Sequence, residues 1–232
     1  MLDQSDFARA RRHMVETQIA LRGIRSEPVL EAMREVPRED FVEEGFEEFA
    51  YEDSPLPIGE GQSISQPMIV ALMIEAAEIG PGDRVLEVGA GSGYAAAVIS
   101  RIAERVYAIE RHASLGERAR QRFERLGYDN IELAVGDGTL GWPEQQAFNA
   151  ILVAAGSPDV PQALKRQLAI GGRLVIPVGV QDGGQSLLKV VRRSETSFED
   201  KDLGPVAFVP LIGEQGWADA RSVLKDPAIP GI

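Results

Sequence analysis

The sequence contains no cysteine and only two histidines, His13 and His112, among its 232 residues. The missing thiols exclude a disulfide framework, a thiolate metal site and a cysteine nucleophile. Two histidines provide few candidate ligands for zinc and few candidate bases for a Ser-His-Asp arrangement. We therefore expect no metal site. His112 follows a predicted strand and is either a lining residue of a ligand pocket or an ordinary solvated residue at a helix start.

Basic residues and long apolar runs are also scarce. The chain has 24 Lys and Arg against 36 Asp and Glu, a formal net charge of −12, which disfavours a nucleic-acid partner because phosphate backbones bind clustered cations. No window approaches the roughly 18 apolar residues of a membrane span, and the N-terminus lacks the features of a signal peptide. We therefore expect a cytoplasmic protein without a membrane partner.

The most informative segment that is present reads Val-Leu-Glu-Val-Gly-Ala-Gly-Ser-Gly-Tyr at positions 85–94, a strand pattern followed by a glycine-rich turn and a helix start. Glycines in such a turn bring bare peptide groups within contact distance of a ligand. A dinucleotide fingerprint needs its third glycine three positions after the second, where this chain has Tyr94. The alternating Gly89, Gly91 and Gly93 instead suit S-adenosylmethionine, whose amino-acid end carries no phosphate.

Two further strand ends supply carboxylates for the same ligand. Glu110 ends the strand pattern 105–110, about 20 residues beyond the first glycine, where one carboxylate can accept both ribose hydroxyls. Asp137 follows the pattern 131–135 and can meet the adenine amino group. The sequence thus predicts a cofactor site, which is completed by the neighbouring residues Ala90, Arg111 and Gly138.

Strand and helix patterns alternate through the middle of the chain. Apolar runs predict strands at 85–88, 105–109, 131–135, 150–153 and 173–178. The helical patterns between them favour right-handed crossovers and a doubly wound, mostly parallel α/β sheet. Two last strands, at 186–192 and 206–211, are predicted to form an antiparallel edge.

The length and the 44% hydrophobic content suit a single domain. We expect residues 1–80 to provide N-terminal helices and an active-site loop, residues 81–180 the cofactor-binding core, and residues 181–232 the edge strands and a tail. The sequence does not indicate whether this tail closes over the site.

The segment between positions 51 and 67 is irregular and long for a simple connection, which is typical of a functional loop. Its second part reads Leu-Pro-Ile-Gly-Glu-Gly-Gln-Ser-Ile-Ser-Gln-Pro. With the glycine turn, Val-Pro-Arg-Glu-Asp-Phe-Val at 36–42 and Phe-Val-Pro-Leu at 208–211, this loop resembles the protein-L-isoaspartate O-methyltransferase family. The resemblance covers most of the chain, and the loop is far more specific to the family than the glycine turn.

The resemblance implies a Rossmann-like methyltransferase fold and methyl transfer from S-adenosylmethionine to the α-carboxylate of isoaspartyl residues in damaged proteins and peptides, which starts their repair. It matches Ser65 to the active-site serine, and Ser63, Ile64 and Gln66 to residues along the cofactor. The alternative for both serines is a local role in the turn and as a cap of the helix that begins at Pro67. Because a carboxylate is already ionised at neutral pH, the site must supply orientation and exclusion of water rather than a strong base.

One departure from the family pattern leaves alternatives open. Ala207 stands where bacterial relatives often carry an arginine, immediately before Phe-Val-Pro-Leu. A methyltransferase dedicated to one peptide or protein partner is therefore the first alternative. A binding protein without catalysis is disfavoured by the intact Ser65, Glu110 and Asp137, and an NAD-dependent oxidoreductase is the weakest reading because Tyr94 replaces the packing glycine.

Overall fold

A computed structural model of the chain describes residues 4–144, 147–180 and 184–219. Helices precede the sheet, as predicted. They comprise α1 (Gln4–His13), a π-helical turn (Met14–Ile19), a 3-10 turn (Ala20–Arg22), α2 (Glu27–Glu35) and two further 3-10 turns (Arg38–Phe41 and Glu47–Phe49). Over the described ranges, no helix combines the length and the apolarity needed to cross a membrane.

The loop before the sheet contains a hairpin that the sequence pattern did not reveal. Strand β1 (Leu56–Gly59) pairs antiparallel with β2 (Gln62–Ile64). Strands of only three and four residues that contain proline and glycine show no alternation of apolar and polar side chains from which a strand could be predicted. Helix α3 (Pro67–Ala76) follows directly and is apolar on most of its surface, so the hairpin is joined to a buried helix.

Seven strands of the described chain form the main sheet. They are β3 (Arg84–Val88), β4 (Arg105–Glu110), β5 (Ile131–Val135), β6 (Phe148–Val153), β7 (Leu168–Gly179), β8 (Gln185–Arg192) and β9 (Phe198–Val206). The spatial order is β5-β4-β3-β6-β7-β8-β9. The first five strands pair in parallel and the last two pairings are antiparallel, which confirms the predicted doubly wound sheet with an antiparallel edge.

The helices α4 (Tyr94–Ser100), α5 (Ala113–Leu126) and α6 (Gln162–Gln167) connect the parallel strands. Side chains of a strand alternate between the two faces of the sheet. Val85 accordingly joins an apolar cluster with Ile74 and Val98, whereas Leu86 joins a second cluster with Trp142. Apolar side chains on both faces are typical of a parallel sheet covered by helices on both sides.

The predicted position of the last strand was wrong. The sequence pattern indicated 206–211, but β9 is Phe198–Val206. Most of its central residues are exposed, because this edge strand pairs with β8 alone. Its composition is therefore polar, which is typical of a turn and not of a strand. The segment after it leaves the sheet and runs beside Gly156, whose N–H donates to the carbonyl of Val209 at 2.7 Å.

The order of the strands determines where a ligand can bind. Strand β3 lies between β4 and β6, so the chain winds outward in opposite directions from this pair. In open α/β sheets, ligands bind at the carboxyl ends of the strands beside such a reversal. The glycine turn follows β3, and Glu110 ends β4.

Candidate active site

The turn between β3 and α4 needs its glycines for two physical reasons. Gly89, Gly91 and Gly93 have φ values of 87°, 55° and 91°, in the left-handed region that side chains disfavour. A Cβ on Gly91 would lie 3.0 Å from Cδ1 of Ile58. The missing side chain therefore lets the hairpin approach the turn closely.

Gly93 has a different neighbour. A Cβ at this position would lie 2.6 Å from Cζ of Phe123 on α5. Gly93 also lies outside the lining of the cavity described below, in which Gly89 and Gly91 take part. The structure thus gives Gly93 a packing role against α5, and its predicted role in cofactor binding stays a prediction.

Glu110 connects the ends of the two central strands. Its side chain is buried, and its Oε2 accepts a hydrogen bond from the N–H of Gly91 at 2.7 Å. Its Oε1 accepts from the N–H of His112 at 2.8 Å. Each carboxylate oxygen retains a further lone pair, which is the capacity that recognition of two hydroxyls requires.

A cavity of about 260 Å³ opens at these strand ends. The predicted site residues that line it are Ser63, Ile64, Ser65, Gly89, Ala90, Gly91, Glu110, Arg111 and Gly138. His112 lines it as well and is the N-cap residue of α5, where its side chain is partly buried. The fold therefore brings nine residues predicted from separate segments to one cavity.

Asp137 does not reach the wall of this cavity. Its Oδ1 accepts from the backbone N–H of Thr139 at 2.9 Å and from the Thr139 hydroxyl at 2.7 Å. Its Oδ2 accepts from the N–H of Glu214 at 2.8 Å. The carboxylate thus holds the segment after β9 against the end of β5, and its contact with an adenine amino group stays a prediction.

Sequence reasoning missed Glu87, the acidic residue inside strand β3. Glu87 is 2% exposed, lines the cavity, and its Oε2 has no hydrogen-bond partner among the described residues. Burial, followed by the nearby charge of Glu110, raises the pKa of Glu87 to about 8. The signal in the sequence was a carboxylate in an otherwise apolar strand that leads into a ligand-binding turn.

Two peripheral contacts border the cavity. Ser114 donates its hydroxyl hydrogen bond to Glu60 of the hairpin at 2.5 Å. Arg111 forms an ion pair with Asp219, which also lines the cavity. The tail therefore reaches the site as far as residue 219, and its remaining residues lie outside the described part of the chain.

A second cavity, of about 450 Å³, adjoins the first. Its lining is mostly apolar and includes Pro55, Ile69, Ala154, Pro205, Val206, Ala207, Phe208 and Val209, together with Gln66. Ser63 and Ser65 line both cavities. The loop that carries the two serines thus forms the boundary between them.

The capping role considered for the serines does not apply to Ser65. The N-cap residue of α3 is Gln66, and the N–H of Met68 is bound at 3.0 Å by the carboxylate of Asp53. The hydroxyl of Ser65 makes no hydrogen bond to any residue in the described ranges. It is therefore available to a ligand at the boundary of the cavities.

Comparisons with known proteins agree with this geometry. A family model described as protein-L-isoaspartate(D-aspartate) O-methyltransferase matches residues 9–216. A protein-L-isoaspartate O-methyltransferase of Brucella anthropi is 54% identical over 92% of this chain and 98% of its own. One of Methylorubrum extorquens is 59% identical over 92% of this chain and 93% of its own.

Solved structures give the same picture. A structure titled protein-L-isoaspartate O-methyltransferase has a TM-score of 0.80 at 29% identity, over 88% of this chain and 67% of that chain. A Plasmodium falciparum beta-aspartate methyltransferase in complex with S-adenosyl-L-homocysteine has a TM-score of 0.75 at 26% identity, over 87% of this chain and 98% of that chain.

Proposed function

The chain belongs to the protein-L-isoaspartate O-methyltransferase family, and from this premise we propose how its two cavities perform the family's reaction. The enzyme transfers a methyl group from S-adenosylmethionine to the α-carboxylate of L-isoaspartyl residues in damaged proteins and peptides, which initiates their repair. The observation that carries the proposal is the shared position of Ser63 and Ser65, which line both cavities. One cavity would hold the methyl donor and the other the acceptor.

The residues of the first cavity fit the donor. Glu110 offers acceptor lone pairs to the ribose hydroxyls, and the unpartnered Oε2 of Glu87 offers one to an ammonium group. The glycine turn would carry the amino-acid end, and Ser63 and Ile64 would lie along the cofactor. Gln66 lines the second cavity and not the first, so its predicted contact with the cofactor stays a prediction. When bound, S-adenosylmethionine supplies a sulfonium methyl group, the electrophile of the reaction.

The second cavity fits a peptide acceptor. Its apolar lining, which includes Ile69 and Phe208, can bury side chains that flank the modified residue. Ala207 also lines it, so the departure from the family pattern lies on the acceptor side and not among the residues proposed for the cofactor. We infer that this substitution affects the range of acceptors that the enzyme methylates, rather than the binding of the methyl donor.

The protein's contribution to the chemistry is orientation. The acceptor carboxylate forms the new bond from its oxygen to the methyl carbon while the carbon–sulfur bond breaks and its electron pair passes to sulfur, so no proton needs to be removed. The Ser65 hydroxyl would donate one hydrogen bond to the carboxylate and direct one oxygen towards the methyl group. Such positioning contributes several kcal/mol when the reacting atoms are held at near-attack distance.

One assay tests this function directly. The full chain is incubated with labelled S-adenosylmethionine and either an isoaspartyl peptide or its normal aspartyl twin. We expect base-labile label in the isoaspartyl peptide alone. Equal labelling of both peptides would contradict the acceptor specificity, and label that enters a single cellular protein but neither peptide would favour the dedicated methyltransferase instead.

A further inference from the structure

Arg38 is a buried arginine whose position is unusual. It begins the 3-10 turn Arg38–Phe41 and is 0% exposed. Its Nε donates to the carbonyl of Ala50 at 2.7 Å, and one Nη donates to the carbonyl of Ser65 at 2.9 Å. Its guanidinium carbon lies 4.8 Å from the centre of the Tyr94 ring. One side chain thus joins the segment after α2 to the loop between the cavities.

The charge of Arg38 is not paired directly with an acid, and the more distant carboxylate of Asp53 offsets the effect of burial only in part. No carboxylate of the described residues forms an ion pair with it, and its other Nη has no hydrogen-bond partner there. Burial lowers the pKa of Arg38 below its ordinary value, although a guanidinium keeps its proton at neutral pH. Burying an unpaired cation is energetically unfavourable, so stability alone is a poor explanation for this residue.

A nearby arginine provides the contrast. Arg11 lies in the same N-terminal part of the chain and also donates to a carbonyl, that of Glu35, at 2.9 Å. It pairs with the carboxylate of Glu39 at 2.9 Å, and its hydrogen bonds to described residues do not include one to Ser65. Arg11 is therefore an arginine with an ordinary structural environment and a suitable control.

We propose that Arg38 is a positioning residue for Ser65, which it acts on through the Ser65 backbone carbonyl. The proposal rests on the function assigned above and adds a specific residue to it. Fixing this carbonyl limits the rotation of the peptide group between Ser65 and Gln66, and thereby the directions in which the Ser65 hydroxyl can point. A planar guanidinium can hold two carbonyls in a fixed relation, which a single ammonium group cannot do in the same geometry.

The test compares Arg38→Lys and Arg38→Met with Arg11→Met. Lysine keeps the charge, and methionine keeps much of the apolar volume. We expect both Arg38 variants to lose roughly 10- to 100-fold in kcat, the scale of a misplaced catalytic group, while the Kd for the cofactor changes less than about threefold. Arg11→Met should keep turnover within about threefold of the wild type. If Arg38→Met fails to fold, Arg38→Lys alone tests the proposal. Wild-type turnover in Arg38→Lys would overturn the proposal.

The Ser65→Ala background separates positioning from a general structural role. If Arg38 acts through the Ser65 hydroxyl, Arg38→Lys should slow the Ser65→Ala enzyme by less than about threefold. Losses that multiply in the double variant would overturn the proposal.

Hydrogen exchange supplies a readout that does not depend on activity. Amides of residues 62–66 should exchange several-fold faster in Arg38→Lys than in the wild type, and those of α2 should not. Unchanged exchange in the loop would overturn the proposal. A wild-type enzyme that failed to methylate isoaspartyl peptides would instead contradict the proposed function, and the exchange data would still decide whether Arg38 holds the loop.

Discussion

Glu87 and Glu110 are buried on adjacent strands with their carboxyl groups near enough to interact. Burial, and after it the charge of Glu110, raises the pKa of Glu87 to about 8. Glu110 is held by two backbone N–H groups, whereas Oε2 of Glu87 has no partner among the described residues. The pair therefore combines a hydrogen-bonded acid with one that holds its proton at neutral pH.

The first prediction concerns the pH dependence of stability. The folded-state pKa of Glu87 lies above the unfolded value of about 4.5, so the folded protein binds the proton more tightly. The stabilisation of the folded state by protonated Glu87 is fully present below pH 4.5 and is lost as the pH rises through 8. Relative to Glu87→Gln, the free energy of unfolding of the wild type should fall by on the order of 3–5 kcal/mol between these limits. Denaturant unfolding without cofactor, at pH 5 and pH 8.5, measures the difference; parallel curves for the two proteins would contradict it.

The second prediction concerns proton release on cofactor binding. At pH 7 the free protein holds Glu87 mainly protonated, because its pKa is about 8. An ammonium group at Oε2 would favour the ionised form, so binding should release up to about one proton. Calorimetry in two buffers of different ionisation enthalpy measures the release. Glu87→Gln should abolish the proton release and weaken cofactor binding. The control Glu104→Gln, at an exposed position, should change neither the proton release nor the affinity.

The third prediction concerns Glu110. Glu110→Ala removes the proposed acceptor of the ribose hydroxyls and leaves the N–H groups of Gly91 and His112 without their partner. Cofactor binding should weaken by about 1.5–3 kcal/mol, the range for a hydrogen bond to a charged group. Calorimetric titration with S-adenosylhomocysteine measures the change, with Glu104→Ala as the control. An unaltered Kd would remove Glu110 from the site.

The fourth prediction concerns Ser65. If its hydroxyl orients the acceptor carboxylate, Ser65→Ala should lower turnover roughly 10- to 1000-fold, the scale of losing one oriented hydrogen bond in a water-excluded site. The cofactor Kd should change much less. Turnover and Kd are measured with the same isoaspartyl peptide, beside Ser54→Ala, a serine of the same loop that lines neither cavity. Equal losses in both quantities would mean that Ser65 shapes the cofactor cavity instead.

The strands and the cofactor turn were predictable because their signals are local. Apolar runs of four to six residues indicated β3, β4, β5 and β6. Carboxyl ends of neighbouring parallel strands meet at one edge of a sheet, so chain order alone predicted that Gly91 and Glu110 would lie together, and they are joined by a hydrogen bond of 2.7 Å.

Prediction failed where a segment's surroundings outweigh its composition. Strand β9 is polar because one of its edges has no partner strand in the described sheet, and the short hairpin β1-β2 contains proline and glycine. The apolar residues after β9 resemble a strand but line the second cavity. Apolar composition shows that a segment is buried, but not what it is buried against.

The sequence by itself determined the parallel strands of the sheet, the glycine turn and the loop that identifies the family, because periodicity, glycine spacing and motif order are properties of neighbouring residues. Only the tertiary structure decided that Glu87 is buried near Glu110, that Arg38 holds the carbonyl of Ser65 from 27 positions away, and that Arg111 pairs with Asp219 of the tail. A side chain's burial, its pKa and its distant partners depend on which segments pack together, and that information is not contained in any local pattern.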